Sequence, residues 1–190
     1  SIANIKSHYC EIGVHNRKIW FEDFPSPDQT NHIILCVPLA NDTIWLECTS
    51  QRMPFGYLPH SHQNQKVVLI NEEDGTGKIV STPNYPSDYN IQERKIELQI
   101  DPSGNVNGRM FTKTQGGEID NLTPELWLPD GEREKIINRK YPISGFKLNS
   151  FKYSLEESDT TRAFEEITMS ISRYASRTGN RMFVKVNPFG

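Results

Sequence analysis

The chain has 190 residues, 35% of them hydrophobic and 24% charged, with a formal net charge of -3 and a pI of about 6.0. That composition suits one large globular domain or two small ones. It offers no basic stripe with interleaved aromatics, which argues against a nucleic-acid partner, and no apolar run near the roughly 20 residues of a membrane span. The opening SIANIKSHYC has no charged start followed by an apolar core, so it is no signal peptide and reads as a cut inside a longer polypeptide. The cysteines, Cys10, Cys36 and Cys48, are odd in number and widely spaced, without a CxxC pair. This is neither a disulfide framework nor a structural zinc pattern.

In chain order, residues 5–13 and 17–22 are expected as two strands around a turn at Val14, His15 and Asn16. Residues 32–39 and 43–48 flank the short turn Ala40-Asn41-Asp42, a hairpin pattern. Residues 66–71 and 77–82 flank a turn signalled by Asp74-Gly75. Residues 90–100 and 106–115 flank DPSGN, where Pro102 and Gly104 suit a type I turn. A helix is expected over 129–140: Asp130 can cap it, acids follow, and Arg139 and Lys140 close it in accord with the helix dipole. Strands follow over 145–156, 164–175 and 181–189, with ASRTGN as the last turn. In EEITMSISR, Ile167, Met169 and Ile171 alternate with Thr168, Ser170 and Ser172, the mark of a half-buried strand. Many short strands and one helix predict a mainly β chain whose larger part is a β-sandwich. The polar, unpatterned LPHSHQNQ suggests a boundary, giving domains 1–64 and 65–190, with 82–90 a long loop in the second.

His32 heads one strand of a predicted hairpin and Glu47 ends the next. A carboxylate that accepts from one ring nitrogen fixes the tautomer of an imidazole and readies it as a base. With a cysteine, such a pair becomes a Cys-His-acid set whose thiolate is the nucleophile. The plainer readings are a hydrogen-bonded strand-end histidine, a solvated strand-end acid at Glu47 and a core tryptophan at Trp45. His60 and His62 read as a solvated loop, Cys36 and Cys48 as buried small residues, and Glu72/Glu73 and Glu165/Glu166 as surface acids. Phe21, Phe24, Phe55 and Trp20 read as core by default.

Residues 31–59 resemble the second half of a transglutaminase-like core. Asn31-His32 matches its histidine strand, Trp45-Leu46-Glu47-Cys48-Thr49 its acid strand, and Gly56-Tyr57-Leu58-Pro59 the stretch beyond. Residues 66–190 resemble the β-rich domain of unknown function that follows this core in large bacterial cell-envelope proteins, with Gly179, Arg181, Phe183 and Asn187 matching its closing strand. The resemblance implies a mainly β fold: an antiparallel sheet remnant of the core plus a β-sandwich with one short helix. It implies His32 and Glu47 as catalytic residues, a periplasmic or envelope location, and no cofactor or metal. It implies as partners the upstream remainder of the polypeptide, carrying the nucleophile helix and another β domain, and a peptide or protein substrate. Two departures stand out. The helix bearing the family's nucleophile is absent from these residues, since Cys10 falls on a strand, and the acid is Glu47 instead of Asp. The chain is therefore expected to be a C-terminal fragment of a cysteine peptidase or transamidase, inactive alone. The alternative is a non-catalytic β-sandwich module that binds an envelope protein or polysaccharide.

Overall fold

The structure, a computed structural model, describes residues 5–15, 17–19, 21–24, 27–50, 55–72, 74–156 and 161–189. Asn16, Trp20 and Glu73 lie outside them. The chain forms two compact units, Ser1–Asn90 with Glu157–Thr161, and Ile91–Glu156 with Arg162–Gly190.

The first unit is built on a five-stranded antiparallel sheet of β1 (His8–Ile12), β2 (His32–Pro38), β3 (Thr43–Leu46), β4 (Lys66–Ile70) and β5 (Gly77–Ser81), in the order β3-β2-β1-β4-β5. The β2–β3 and β4–β5 hairpins form as their turn residues predict. The strand expected over 17–22 does not form among its described residues. Both edges of β1 are occupied, by β2 on one side and β4 on the other, so its backbone has no ladder left to offer. Gln29 holds the segment as a loop instead: its carbonyl accepts from the Phe21 amide at 2.9 Å and its amide donates to Phe24 O at 3.1 Å. Phe21, Phe24 and Phe55 are exposed, contrary to the core expectation. The core is made by Cys10, Ile12, Val14, Ile34, Cys36, Trp45, Leu58 and Val67.

The pairing of β4 with β1 also moves the boundary. The division expected at 64/65 falls inside the first unit, because the open edge of β1 is completed by β4, which carries β5 with it. The compact units part at 90/91, and residues 82–90 belong to the first.

The second unit contains β6 (Ile91–Ile100), β7 (Val106–Gln115), α1 (Thr123–Leu126), α2 (Asp130–Lys140), β8 (Phe146–Glu156), β9 (Arg162–Ile171), β10 (Ser176–Thr178) and β11 (Arg181–Phe183). β6-β7-β9-β8 form an antiparallel sheet, and β10 and β11 a two-stranded ribbon drawn partly from the expected ASRTGN turn. Asp130 sits inside the first turn of α2, paired with Arg133 at 3.1 Å, while Pro129 takes the cap position. On β9, Ala163, Glu165, Ile167, Met169 and Ile171 are buried and the residues between them are not. Ile137 of α2 and Tyr141 just after it join Val106, Met110, Ile167, Met169, Ile171 and Phe189 in one cluster. The chain is thus mainly β and antiparallel, with one helix of more than two turns among the described residues. Within this unit the helix covers the sheet face where a sandwich would set a second sheet.

Glu165, expected at the surface, is fully buried. It accepts from Thr112 Oγ1 at 3.2 Å and from Lys140 Nζ at 3.5 Å, and the Tyr153 hydroxyl lies 2.9 Å from it and 2.7 Å from Glu125. Glu166, of opposite parity, pairs with Arg109.

Gly104 closes the β6–β7 turn at φ +82°, where a Cβ would stand 2.4 Å from the carbonyl oxygen of Ala175. Gly179 has φ +60° but nothing within 4 Å. Gly179→Ala should therefore cost only the left-handed strain of about 1–2 kcal/mol. Gly104→Ala should cost clearly more, because backbone must move. Urea or thermal unfolding of the two variants checks this, and equal losses would show that the Gly104 contact is relieved cheaply.

Candidate active site

The β2–β3 register pairs Leu35 with Leu46 and Cys36 with Trp45. Ile34, Cys36 and Trp45 are buried on one face of the sheet. Side chains alternate along a strand. His32, two residues before Ile34, and Glu47, two after Trp45, therefore continue that face past the apolar core to its rim. Asn31 fixes the approach. Its backbone amide donates to Ile12 O at 3.1 Å, and its side chain accepts from the Val14 amide at 2.8 Å and donates to Val14 O at 3.3 Å.

His32 Nε2 lies 2.7 Å from Glu47 Oε2. The other carboxylate oxygen, Oε1, accepts from the Thr49 amide at 2.8 Å and from its hydroxyl at 2.5 Å. The Glu47 side chain is only 4% exposed and that of His32 20%. Burial works to raise the Glu47 pKa. The bonds from the Thr49 hydroxyl, His32 and the Thr49 amide outweigh it and hold the carboxyl below its ordinary value. Glu47 is thus an ionised acceptor at neutral pH, and its contact with His32 is made through Nε2, on the side of the ring away from Nδ1.

A second histidine completes the cluster. His62, expected in a solvated loop, is buried, and its Nε2 lies 3.0 Å from the same Glu47 Oε2. The rings of His32 and His62 meet edge to face, 4.8 Å between centroids and 82° between planes. The loop is drawn down by Tyr57 and Leu58, both buried. It is held by Gln63 Nε2 donating to Leu58 O at 3.0 Å and Thr82 Oγ1 donating to His62 O at 2.6 Å. Ser61 Oγ meets His62 Nδ1 at 2.9 Å. His60, two residues away, stays exposed. The only sequence signal for His62 is the apolar Tyr57-Leu58 pair ahead of it, because a one-turn 3-10 segment has no periodicity to read.

None of the three cysteines completes a catalytic set here. Cys10 and Cys36 are core residues. Burial, reinforced by the nearby Cys36 thiol, pushes the Cys10 thiol up to about 12, and burial also raises Cys36. Cys48 is exposed, a correction to its expected burial, and its Sγ sits 3.6 Å from Leu46 O. Partial burial and the Glu47 charge raise its pKa too. Trp45 is a core residue, in line with its plainer reading.

No family model, curated protein or solved structure matches the chain.

Thiol reactivity should follow this environment, because the thiolate is the reactive form. In native protein at pH 8, Ellman's reagent should modify one cysteine per chain, Cys48, and reach Cys10 and Cys36 only after denaturant is added. Cys48→Ser should abolish the native reaction. Rapid native labelling of Cys10 would contradict its place in the core.

Proposed function

We propose that these residues carry the histidine–acid half of a transglutaminase-like cysteine site that acts on peptide or isopeptide amides in the bacterial cell envelope. The nucleophilic thiol is supplied from outside the described residues. The observation that carries this reading is the 2.7 Å contact between His32 Nε2 and a buried Glu47 carboxylate whose other oxygen is tied to Thr49. Glu47 does the work of the family's aspartate with one more methylene, and the Thr49 bonds hold the longer side chain in place.

The chemistry follows from the polarity of the ring. With Nε2–H donating to Glu47, Nδ1 is basic and accepts the thiol proton. The thiolate attacks the amide carbonyl, the C–N bond breaks, and the imidazolium returns its proton to the leaving amine. Water or a second amine then attacks the thioester, with His32 again taking the proton; the C–S bond breaks, the acid or new amide leaves, and the thiolate recovers the proton from His32. Glu47 stays ionised throughout and stabilises the imidazolium. No cofactor is needed for any of these steps.

The 190-residue chain alone should turn over no peptide or isopeptide library. The natural polypeptide that contains it should do so, with His32→Ala costing about 10²–10⁴ in rate, the usual loss of a general base. Turnover by the isolated chain that disappears in Cys10→Ala would make Cys10 the nucleophile. Turnover by the longer polypeptide that is indifferent to His32→Ala would remove the histidine from the mechanism. No turnover by the longer polypeptide would favour a binding module built on a degenerate core.

A further inference from the structure

His62 has no place in the histidine–acid pair, yet it is buried against the same carboxylate oxygen. We infer that His32 Nε2, His62 Nε2 and Glu47 Oε2 form a binding site for one divalent transition-metal ion of the zinc class. This goes beyond the cysteine reading and does not depend on it.

The three donor atoms all lie within 4.8 Å of one another, with the two nitrogens 2.7 and 3.0 Å from the shared oxygen. An ion at about 2.0–2.1 Å from each ligand needs donor separations of about 3.0–3.4 Å: the His62–Glu47 distance already meets this, the His32–Glu47 distance must open by a few tenths of an ångström, and the two nitrogens, within 4.8 Å of each other, must settle into the same range. The donor set selects the ion. Two imidazoles and one carboxylate suit zinc and its first-row neighbours, whereas calcium and magnesium require oxygen ligands in greater number.

The surroundings match what a metal site requires beyond its ligands. Ligating groups are oriented by hydrogen bonds from a second layer of residues. Here Thr49 holds the oxygen that would not ligate, and Ser61 Oγ meets Nδ1 of His62. The sheet supplies His32 and Glu47 at fixed register, and the tied-down loop supplies the third ligand. Three protein ligands leave at least one coordination position open, and the partial exposure of His32 gives water or an anion access to it.

The test is metal binding by the full 190-residue chain after chelator treatment, read by zinc calorimetry and by the visible absorption of added Co²⁺. One ion per chain is expected, with a Co²⁺ band that zinc displaces. His62→Gln and Glu47→Gln should each weaken binding by more than about 100-fold, beyond the loss typical of an outer-layer partner, while His60→Gln leaves it unchanged. Absence of saturable binding by either ion overturns the inference. So does one-to-one binding that keeps its affinity in folded His62→Gln. Should that variant fail to fold by circular dichroism, His32→Gln, at the more exposed ring, replaces it: weakened binding supports the site and unchanged affinity overturns it. Neither readout involves turnover, so its failure is separate from failure of the cysteine reading.

Discussion

A carboxylate sits at the rim of the apolar core of the first unit with almost no exposure to water, and the local structure is organised around satisfying it. A buried charge is tolerated only when it is paired and hydrogen-bonded. Both Glu47 oxygens meet that condition, one through the Thr49 amide and hydroxyl, the other through His32 Nε2, with His62 Nε2 also 3.0 Å from it. Each partner comes from a different local device. Thr49 is two residues along the same strand extension. His32 depends on the β2–β3 register, and a slip of one residue would turn it to the opposite face. His62 depends on Tyr57 and Leu58 drawing a polar loop down onto the sheet.

The second unit meets a similar constraint by different means. Glu165 lies on the apolar face of β9, between Ala163 and Ile167 in the alternation. Its charge is met by Thr112, Lys140 and Tyr153, and Glu125 approaches the same phenol. Burial first, and then the Glu165 charge, drives the Tyr153 pKa up, so the phenol remains a neutral donor. Its single proton can go to only one of the two carboxylates at a time. The Tyr141 hydroxyl, also buried, finds no hydrogen-bond partner among the described residues. This polar seam runs through the face that α2 covers. Part of the order of that face is therefore set by directional bonds instead of apolar contact alone.

Local patterning made much of this legible. The β2–β3 and β4–β5 turns, the long β6–β7 pair and α2 follow from turn chemistry and charge placement, and the His32–Glu47 contact follows from parity across one hairpin. Glu165 was legible by the same rule, since it shares parity with Ile167, Met169 and Ile171. Its partners Thr112, Lys140 and Tyr153 lie far off in sequence, and no local pattern announces them. The missing strand at 17–22 was hidden for a related reason. Strand propensity there is real, but ladder positions are decided by which edges remain open, and β4, arriving some fifty residues later, took the one beside β1. The same pairing carried the domain boundary past residue 64. His62 was illegible because burial of a polar loop is set by what anchors it, not by its own sequence.

The shared oxygen of Glu47 sets how the two chemistries proposed for this site relate. In the proposed histidine–acid pair, the proton would sit on His32 Nε2, facing Oε2 at 2.7 Å, and the ring would act through Nδ1. A metal ion at the same place must displace that proton, because a nitrogen cannot hold both. The carboxylate would then orient the ion instead of the imidazolium, and the electrostatic support for a charged His32 would be withdrawn. Occupation by metal and action as a general base are therefore exclusive states of one set of atoms. His62 shifts the balance between them. Without it, His32 and Glu47 offer two ligands, too few for a typical protein zinc site. With it, a third donor stands on the same oxygen, held there by a loop that the proton-transfer chemistry does not require.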